Sequence, residues 1–228
     1  MHARVRLAVC AALVLAFALG APPAVAAGDG ATGRTAQSRS IFQDGPLTGS
    51  GWAACADPIS WSLDTGDVSA EATAALAADV TWALRKWGEA SGLTFVKDDV
   101  TRHGYDNDSH TAVPADGIRR DRHLYVSFLP DDRSDYLGGS VVGVAAPTRV
   151  WSQRREIVLG SAVFLSDYAL STSRARRQAV ILHELGHALG LDHSVGRDDA
   201  MHPRVASTRT LSRADVAGIR SLVRSCGR

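Results

Sequence analysis

The sequence predicts an α+β fold in which a mixed sheet carries helices on one face. Segments with the alternating pattern of strands come first along the chain, and most segments with helical periodicity come later. One helical segment crosses between the first two strands. The 228 residues, 45% hydrophobic and 21% charged, are enough for one globular domain or a small pair. The formal net charge of +1 gives no reason to expect a nucleic-acid partner.

Residues 1–26 have the pattern of a secretory signal peptide. Two arginines precede the apolar run Leu7 to Leu19, which is short for a membrane span, and Ala24-Val25-Ala26 is a small-x-small cleavage site. A lipoprotein anchor at Cys10 is the rival interpretation, but the apolar run lies mostly after that cysteine. We therefore expect a secreted, extracellular protein without membrane association after cleavage.

The chain beyond the signal segment divides into a leader and one domain. Residues 27–51 are rich in Gly, Ala, Ser and Thr, which is typical of a flexible leader or short propeptide, and the folded domain is expected over 52–228. Two cysteines remain after cleavage, Cys55 and Cys226. In an oxidising compartment they predict one disulfide that joins the start of the domain to its end, with two free thiols as the alternative.

The first half of the domain predicts two strands around one helix. Ile59 to Leu63 alternates as a strand. Ser69 is a good N-cap, and apolar residues then recur at helical spacing until Gly92. A second strand is expected at Leu93 to Val96. The polar segment from Lys97 to Arg122 is predicted to be a long loop.

The second half predicts three more strands and two helices. Leu124, Val126 and Phe128 alternate as a third strand that is closed by Pro130. The remaining predicted elements are strands at Val141 to Ala145 and Ile157 to Phe164, separated by Pro147, and helices at about Ser173 to Leu189 and Ser212 to Ser225. Three histidines in or beside the polar loop, His103, His110 and His123, are expected to be solvated.

Residues 183–193 read H-E-L-G-H-A-L-G-L-D-H and carry the main chemical information. On an α-helix His183 and His187 are one turn apart and project from one face, as two ligands of a tetrahedral zinc ion do. Glu184 lies on nearly the same side and is the candidate general base acting on a zinc-bound water.

The third ligand follows from the geometry of the helix. A helix that continued to His193 would carry this side chain about 15 Å along the axis from the first histidine, too far to share its ion. Gly190 is therefore predicted to end the helix, because glycine adopts the left-handed conformation at little cost. With that turn His193 completes a three-histidine site, whose open fourth position is typical of one catalytic Zn²⁺.

The run resembles the signature of the metzincin metalloproteases, with Met201 as the methionine of the Met-turn. Pro203 stands where astacins carry a zinc-binding tyrosine, which argues against that branch. The chain most resembles the matrixins over about residues 52–228. The residues that carry this likeness are His193-Ser194, Ala200-Met201-His202-Pro203, Leu211-Ser212, Asp215, Gly218 and Ile219.

The resemblance implies a twisted five-stranded, mostly parallel sheet with one antiparallel edge strand, two helices packed on it, and a third helix after the Met-turn. It also implies an extended polypeptide substrate beside the edge strand, near Val141 to Ala145. The chain lacks the cysteine-switch motif and the histidines of the matrixin structural zinc, so a single zinc is expected. Asp131, Asp132 and Asp135 are candidate calcium ligands, although an acidic surface turn is the preferred interpretation.

These observations predict a monomeric, secreted zinc-dependent endopeptidase with Glu184 as general base. Two alternatives remain. A peptidase or amidase of cell-wall crosslinks would use the same chemistry on another substrate. A catalytically inactive zinc-binding adhesion module is disfavoured because Glu184 is present.

Overall fold

The computed structural model describes residues 52, 57–99, 102–152, 155–205 and 208–223, and the side chains of 149–156 are not described. The predicted signal peptide, the leader and both cysteines of the predicted disulfide, Cys55 and Cys226, lie outside the described residues, so these expectations stay predictions. Among the described helices none is both long and apolar enough to span a membrane.

A five-stranded mixed sheet organises the described chain. The strands of the described chain are β1 (Ile59–Asp64), β2 (Phe95–Lys97), β3 (His103–Asp106), β4 (Thr111–Pro114), β5 (His123–Leu129), β6 (Gly143–Ser152) and β7 (Arg155–Leu165). The five-stranded sheet has the order β2, β1, β5, β7, β6, and within it only β6 is antiparallel to its neighbour. The helices are α1 (Ala70–Ser91), α2 (Ser166–Ser171), α3 (Arg174–Ala188) and α4 (Arg213–Leu222). The expected fold class is confirmed.

Helix α1 makes the crossover between β1 and β2 and has the predicted ends. The Ser69 hydroxyl accepts a hydrogen bond from the Ala72 amide, and Gly92 adopts a φ of 80° just beyond the last turn. Both features satisfy backbone groups that a helix end leaves without a partner. The apolar side of α1 packs against β1, β5 and α3 in the main core.

A buried carboxylate joins α1 to the start of α3. Asp79 is fully buried, and its oxygens accept hydrogen bonds from Arg174 Nε at 2.9 Å, Arg177 Nε at 2.8 Å and Gln178 Nε2 at 2.8 Å. At its other end α3 lies directly on β7, because a Cβ at Gly160 would be only 2.7 Å from the Ala188 carbonyl oxygen. Both ends of α3 are thereby held against the rest of the core.

The expected loop at 97–122 is wrong, because β3 and β4 within it form an antiparallel hairpin. This hairpin covers the sheet face opposite the helices, and the Ala112 amide donates to Ser161 Oγ of β7 at 2.7 Å. Polar contacts of this kind hold the hairpin, so its sequence lacks the apolar alternation that identifies a strand. The sheet is therefore covered on both faces, by the helices on one and by the hairpin on the other, and the sequence pattern did not indicate the second cover.

Two of the three histidines expected to be solvated are instead buried where the hairpin meets the sheet. His123 is 0% and His103 9% exposed, while His110 is half-buried and stacks on Tyr136 with ring centroids 4.1 Å apart. The predicted strand break at Pro147 is also wrong, because β6 continues through it. An edge strand tolerates proline, since one side of its backbone needs no partner.

Candidate metal centre

Helix α3 places two imidazoles and a carboxylate side by side. His183 and His187 lie one turn apart, with ring centroids separated by 4.6 Å and Nε2 atoms by 3.1 Å. Glu184 follows the first histidine and is 8% exposed. The spacing predicted from the sequence is therefore realised on one buried stretch of helix.

The end of α3 brings in the third imidazole. Gly190 has a φ of 103°, its amide donates to the His187 carbonyl at 2.8 Å, and the Leu191 amide donates to the Gly186 carbonyl at 3.0 Å. These two bonds form a Schellman motif, which ends the helix and reverses the chain. His193 Nε2 consequently lies 3.2 Å from His187 Nε2.

The donor set of the three rings fits a metal ion. His183 Nδ1 donates to the Ala200 carbonyl and His187 Nδ1 to the Leu191 carbonyl, both at 2.7 Å. A neutral ring that carries its proton on Nδ1 has a lone pair on Nε2, so the Nε2 atoms cannot donate hydrogen bonds to one another. Two nitrogens on one tetrahedral zinc ion would be about 3.3 Å apart. The ligand atoms of the triad all lie within 4.8 Å of one another.

The protonation of the triad also suits metal binding. Burial lowers the pKa of His187 to about 4 and that of His183 well below its ordinary value, and the neighbouring imidazoles act in the same direction. Burial likewise lowers the pKa of His193. The three rings are therefore neutral at pH 7, the form that ligates a metal.

Glu184 lies between the triad and the edge strand. Burial raises the pKa of its carboxyl group to about 8, and a divalent cation on the histidines would act in the opposite direction. A Cβ at Gly143, the first residue of β6, would lie 2.9 Å from Glu184 Cγ. The backbone of β6 thus approaches the carboxylate where a side chain would not fit without a shift.

Met201 packs beneath the helix that carries the triad. Its side chain is fully buried, and a Cβ at Gly186 would overlap Met201 Sδ and lie 2.8 Å from Trp87 Cζ2. Glycine at this position, between two of the histidines, allows the methionine and the tryptophan to contact the helix backbone. The Met-turn segment thereby supports α3 directly below the ligands.

Asp215 links α4 to the Met-turn, a role that the sequence reasoning missed. Its buried carboxylate accepts hydrogen bonds from the amides of Ala200 at 2.8 Å, Met201 at 3.2 Å and Ser212 at 2.8 Å. Since the Ala200 carbonyl accepts a hydrogen bond from His183 Nδ1, the chain of contacts runs from α4 to a ring of the triad. The capping-box spacing of Ser212 and Asp215 was the available signal.

Other candidate ligands do not join the centre. Among the described residues, the three histidines are the group whose positions suit a metal ion. Asp131, Asp132 and Asp135 are exposed around a short 3-10 helix, which agrees with the preferred interpretation as an acidic surface turn and adds no support for calcium. His202 Nδ1 accepts from the Arg204 amide at 3.2 Å and lies outside the triad.

Comparison with known proteins agrees with this arrangement. A sequence model of the matrixin family matches residues 52–224, which is most of the chain and includes the triad, Met201 and α4. No curated protein matches the chain. The chain belongs to the matrixin family of metalloproteases.

Proposed function

We propose that this matrixin is a secreted zinc-dependent endopeptidase that hydrolyses peptide bonds in extended polypeptides. One observation carries the proposal: the Nε2 lone pairs of the buried His183, the half-buried His187 and the exposed His193 converge, with a buried carboxylate next to them. His183, His187 and His193 would hold the ion. When bound, zinc supplies a Lewis acid for the scissile carbonyl and lowers the pKa of water.

Glu184 has the position of the general base. Its carboxylate takes a proton from the attacking water and delivers that proton to the leaving amine as the C–N bond breaks. Burial favours the protonated carboxyl group, which the second half of the reaction requires. The close approach of Gly143 excludes bulk solvent from one side of the carboxylate.

The edge strand β6 is the proposed binding site for the extended substrate. Within the sheet β6 pairs with β7 on one side and has no sheet neighbour on the other among the described residues. An extended peptide binds such an edge by adding a strand, and its main-chain hydrogen bonds do not depend on side-chain identity. Because β6 begins beside Glu184, a peptide paired with its first residues passes the carboxylate.

Export and the disulfide belong to the same proposal. The signal pattern of residues 1–26 supports secretion, and the pair Cys55 and Cys226 would then form one bridge in the oxidising compartment. Cleavage at the end of the signal segment is tested by sequencing the amino terminus of the protein from culture medium.

Replacing the carboxylate tests the proposed chemistry. Glu184→Gln is expected to bind one zinc per chain and to lose about 10²- to 10⁴-fold in kcat, because the amide cannot take up a proton. The matched control is Glu89→Gln on the exposed side of α1, which is expected to hydrolyse like the unchanged protein.

Two substrates separate the remaining functions. We expect the zinc-loaded protein to cleave unfolded casein and to stop when a chelator removes the metal. Cleavage of purified peptidoglycan but not of casein would instead identify a crosslink peptidase. Cleavage of neither by the zinc-loaded protein would contradict the proposed activity and favour an adhesion module.

A further inference from the structure

A buried network of histidines and serines joins the hairpin to the sheet, on the face opposite the helices. His123 Nδ1 lies 2.7 Å from Ser60 Oγ, and its Nε2 lies 2.7 Å from Ser62 Oγ. The same Ser62 hydroxyl lies 2.8 Å from His103 Nε2, and His103 Nδ1 lies 2.8 Å from Ser127 Oγ. The network therefore runs across β1, β5 and the first residue of β3.

The proton arrangement of this network is complete when both imidazoles are neutral. One such arrangement has Ser127 donate to His103 Nδ1, His103 Nε2 to Ser62, Ser62 to His123 Nε2, and His123 Nδ1 to Ser60, whose own proton goes to the Arg122 carbonyl at 3.4 Å. Each hydroxyl and each neutral ring has one proton, so the four links are satisfied in this direction and equally in the reverse one. If both rings were protonated, Ser62 would face two N–H donors and its own proton would have no acceptor among them.

The charged side chains around the network do not balance a positive charge on both imidazoles at once. Asp64 and Asp98 face the two rings and favour their protonation, whereas Arg120 opposes it. Tyr125 packs against both rings, with centroids at 5.3 and 4.3 Å. Burial is the largest effect and lowers the pKa of each histidine to about 4, despite the two carboxylates.

The hairpin also supports the loop beside the candidate active site. Near the tip of the hairpin, the Asp135 amide donates to Asn107 Oδ1 at 3.3 Å. Ser134 Oγ, in the same loop as Asp135, donates to Tyr105 Oη of the hairpin at 3.1 Å. A third contact is the stacking of His110 on Tyr136, whose phenol pKa is raised by burial and by the nearby Glu184 carboxylate. Movement of the hairpin would remove these supports from residues 134–136, which lie near Glu184.

We propose that His103 and His123 form an acid-sensitive latch, which holds the hairpin β3–β4 on the sheet when both rings are neutral and releases it when they are protonated. The main core between the helices and the other sheet face does not contain these rings and remains folded when the latch opens. The inference concerns the hairpin alone and does not depend on peptide hydrolysis.

The sign and size of the effect follow from proton linkage. A released histidine titrates near 6.5, whereas the latched rings bind protons only near pH 4, so the open form binds more protons between these values. Latch stability is therefore fully present above pH 6.5 and is lost as the pH falls toward 4. Between pH 7 and pH 5 the opening constant should rise about 20-fold for one histidine and about 500-fold for two.

Amide hydrogen exchange measures this opening without substrate. The zinc-loaded full chain carrying Glu184→Ala avoids self-cleavage during the experiment. Protection factors, which correct for the intrinsic pH dependence of exchange, are measured at pH 7 and pH 5 for Ala112 in the hairpin and for Val80 in α1. Zinc content is measured at both values. We expect Ala112 to lose about 500-fold in protection while Val80 and the zinc content change little.

A variant whose network has no titratable side chain provides the second part of the hydrogen-exchange experiment. His103→Gln combined with His123→Gln keeps one donor and one acceptor at each position, so the pH-dependent loss of protection should disappear even if the variant is less stable overall. The matched control His110→Gln, in the same hairpin but outside the network, should retain the loss.

Three results would overturn the latch. Ala112 protection could stay constant between pH 7 and pH 5, or the double glutamine variant could show the same loss as the unchanged histidines. Parallel loss of protection at Ala112 and Val80 would show unfolding of the whole domain rather than release of the hairpin.

Discussion

Asp215→Asn tests the connection between α4, the Met-turn and the metal ligands. The carboxylate accepts hydrogen bonds from three backbone N–H groups, of which those of Ala200 and Ser212 are the short ones at 2.8 Å. The amides of Ala200 and Met201 belong to the turn that supports His183. Asparagine has nearly the same shape but offers one oxygen acceptor. If that oxygen keeps the two short bonds, the new NH₂ group faces the Met201 amide, so a donor opposes a donor.

The expected cost combines two effects. Loss of the negative charge weakens the two short bonds by about 1 kcal/mol each, and the unpaired buried amide adds about 1–3 kcal/mol. We therefore expect the metal-free variant to lose about 3–5 kcal/mol in free energy of unfolding. Zinc affinity should fall about 10- to 100-fold, because the Ala200 carbonyl orients the His183 ring.

The assay pairs urea unfolding of the metal-free protein with zinc titration against a chromophoric chelator. Asp198→Asn, an exposed position in the same turn, is the matched control and should change neither value. If Asp215→Asn and Asp198→Asn gave the same zinc affinity and the same unfolding free energy, the proposed chain of support from α4 to the triad would be wrong.

Four further substitutions test other parts of the structure. Gly190→Ala and Gly92→Ala each force a side chain into positive φ and should each cost about 1–2 kcal/mol in urea unfolding. Only Gly190→Ala should also weaken zinc binding. Equal zinc affinities of the two variants would refute the role of Gly190 in placing the third histidine. Gly186→Ala should cost about 1–3 kcal/mol because its Cβ overlaps Met201, and an unchanged unfolding midpoint would contradict that contact. Asp79→Ala removes the partner of the largely buried Arg177 Nε and of the buried Gln178 amide. It should cost about 3 kcal/mol in thermal or urea unfolding, with zinc stoichiometry in the folded fraction unchanged.

The parts of the fold that the sequence predicts are those with local signals. Ser69 and Gly92 mark the ends of α1 within one residue, and Gly190 predicts the left-handed turn after α3. Leu124 and Val126 give the alternation of β5. In each case a short stretch of sequence contains both the signal and its physical cause, so no knowledge of distant partners is needed.

The parts that the sequence does not reveal depend on contacts between distant segments. His123 belongs to a strand that is covered on both faces, as central parallel strands are, but its cover comes from a polar hairpin that has no apolar pattern of its own. Pro147 is accommodated because β6 is an edge strand, which only the sheet order shows. Neither fact can be derived from the periodicity of the segment itself.

The same distinction applies to the candidate site. The spacing of His183 and His187 predicts two ligands on one helix face, and the turn at Gly190 predicts the third, His193. The function of Asp215 could not be assigned in the same way. Its partners are amides 14 and 15 residues earlier, and their proximity arises only from packing.

X-ray absorption of the zinc-loaded protein tests the central claim most directly. If three imidazoles hold one zinc ion and leave its fourth position to solvent, the zinc shell contains three nitrogen ligands at about 2.0–2.1 Å and one further oxygen, with one zinc per chain. A shell with sulfur, with two imidazoles, or with unchanged coordination in His193→Ala would contradict it.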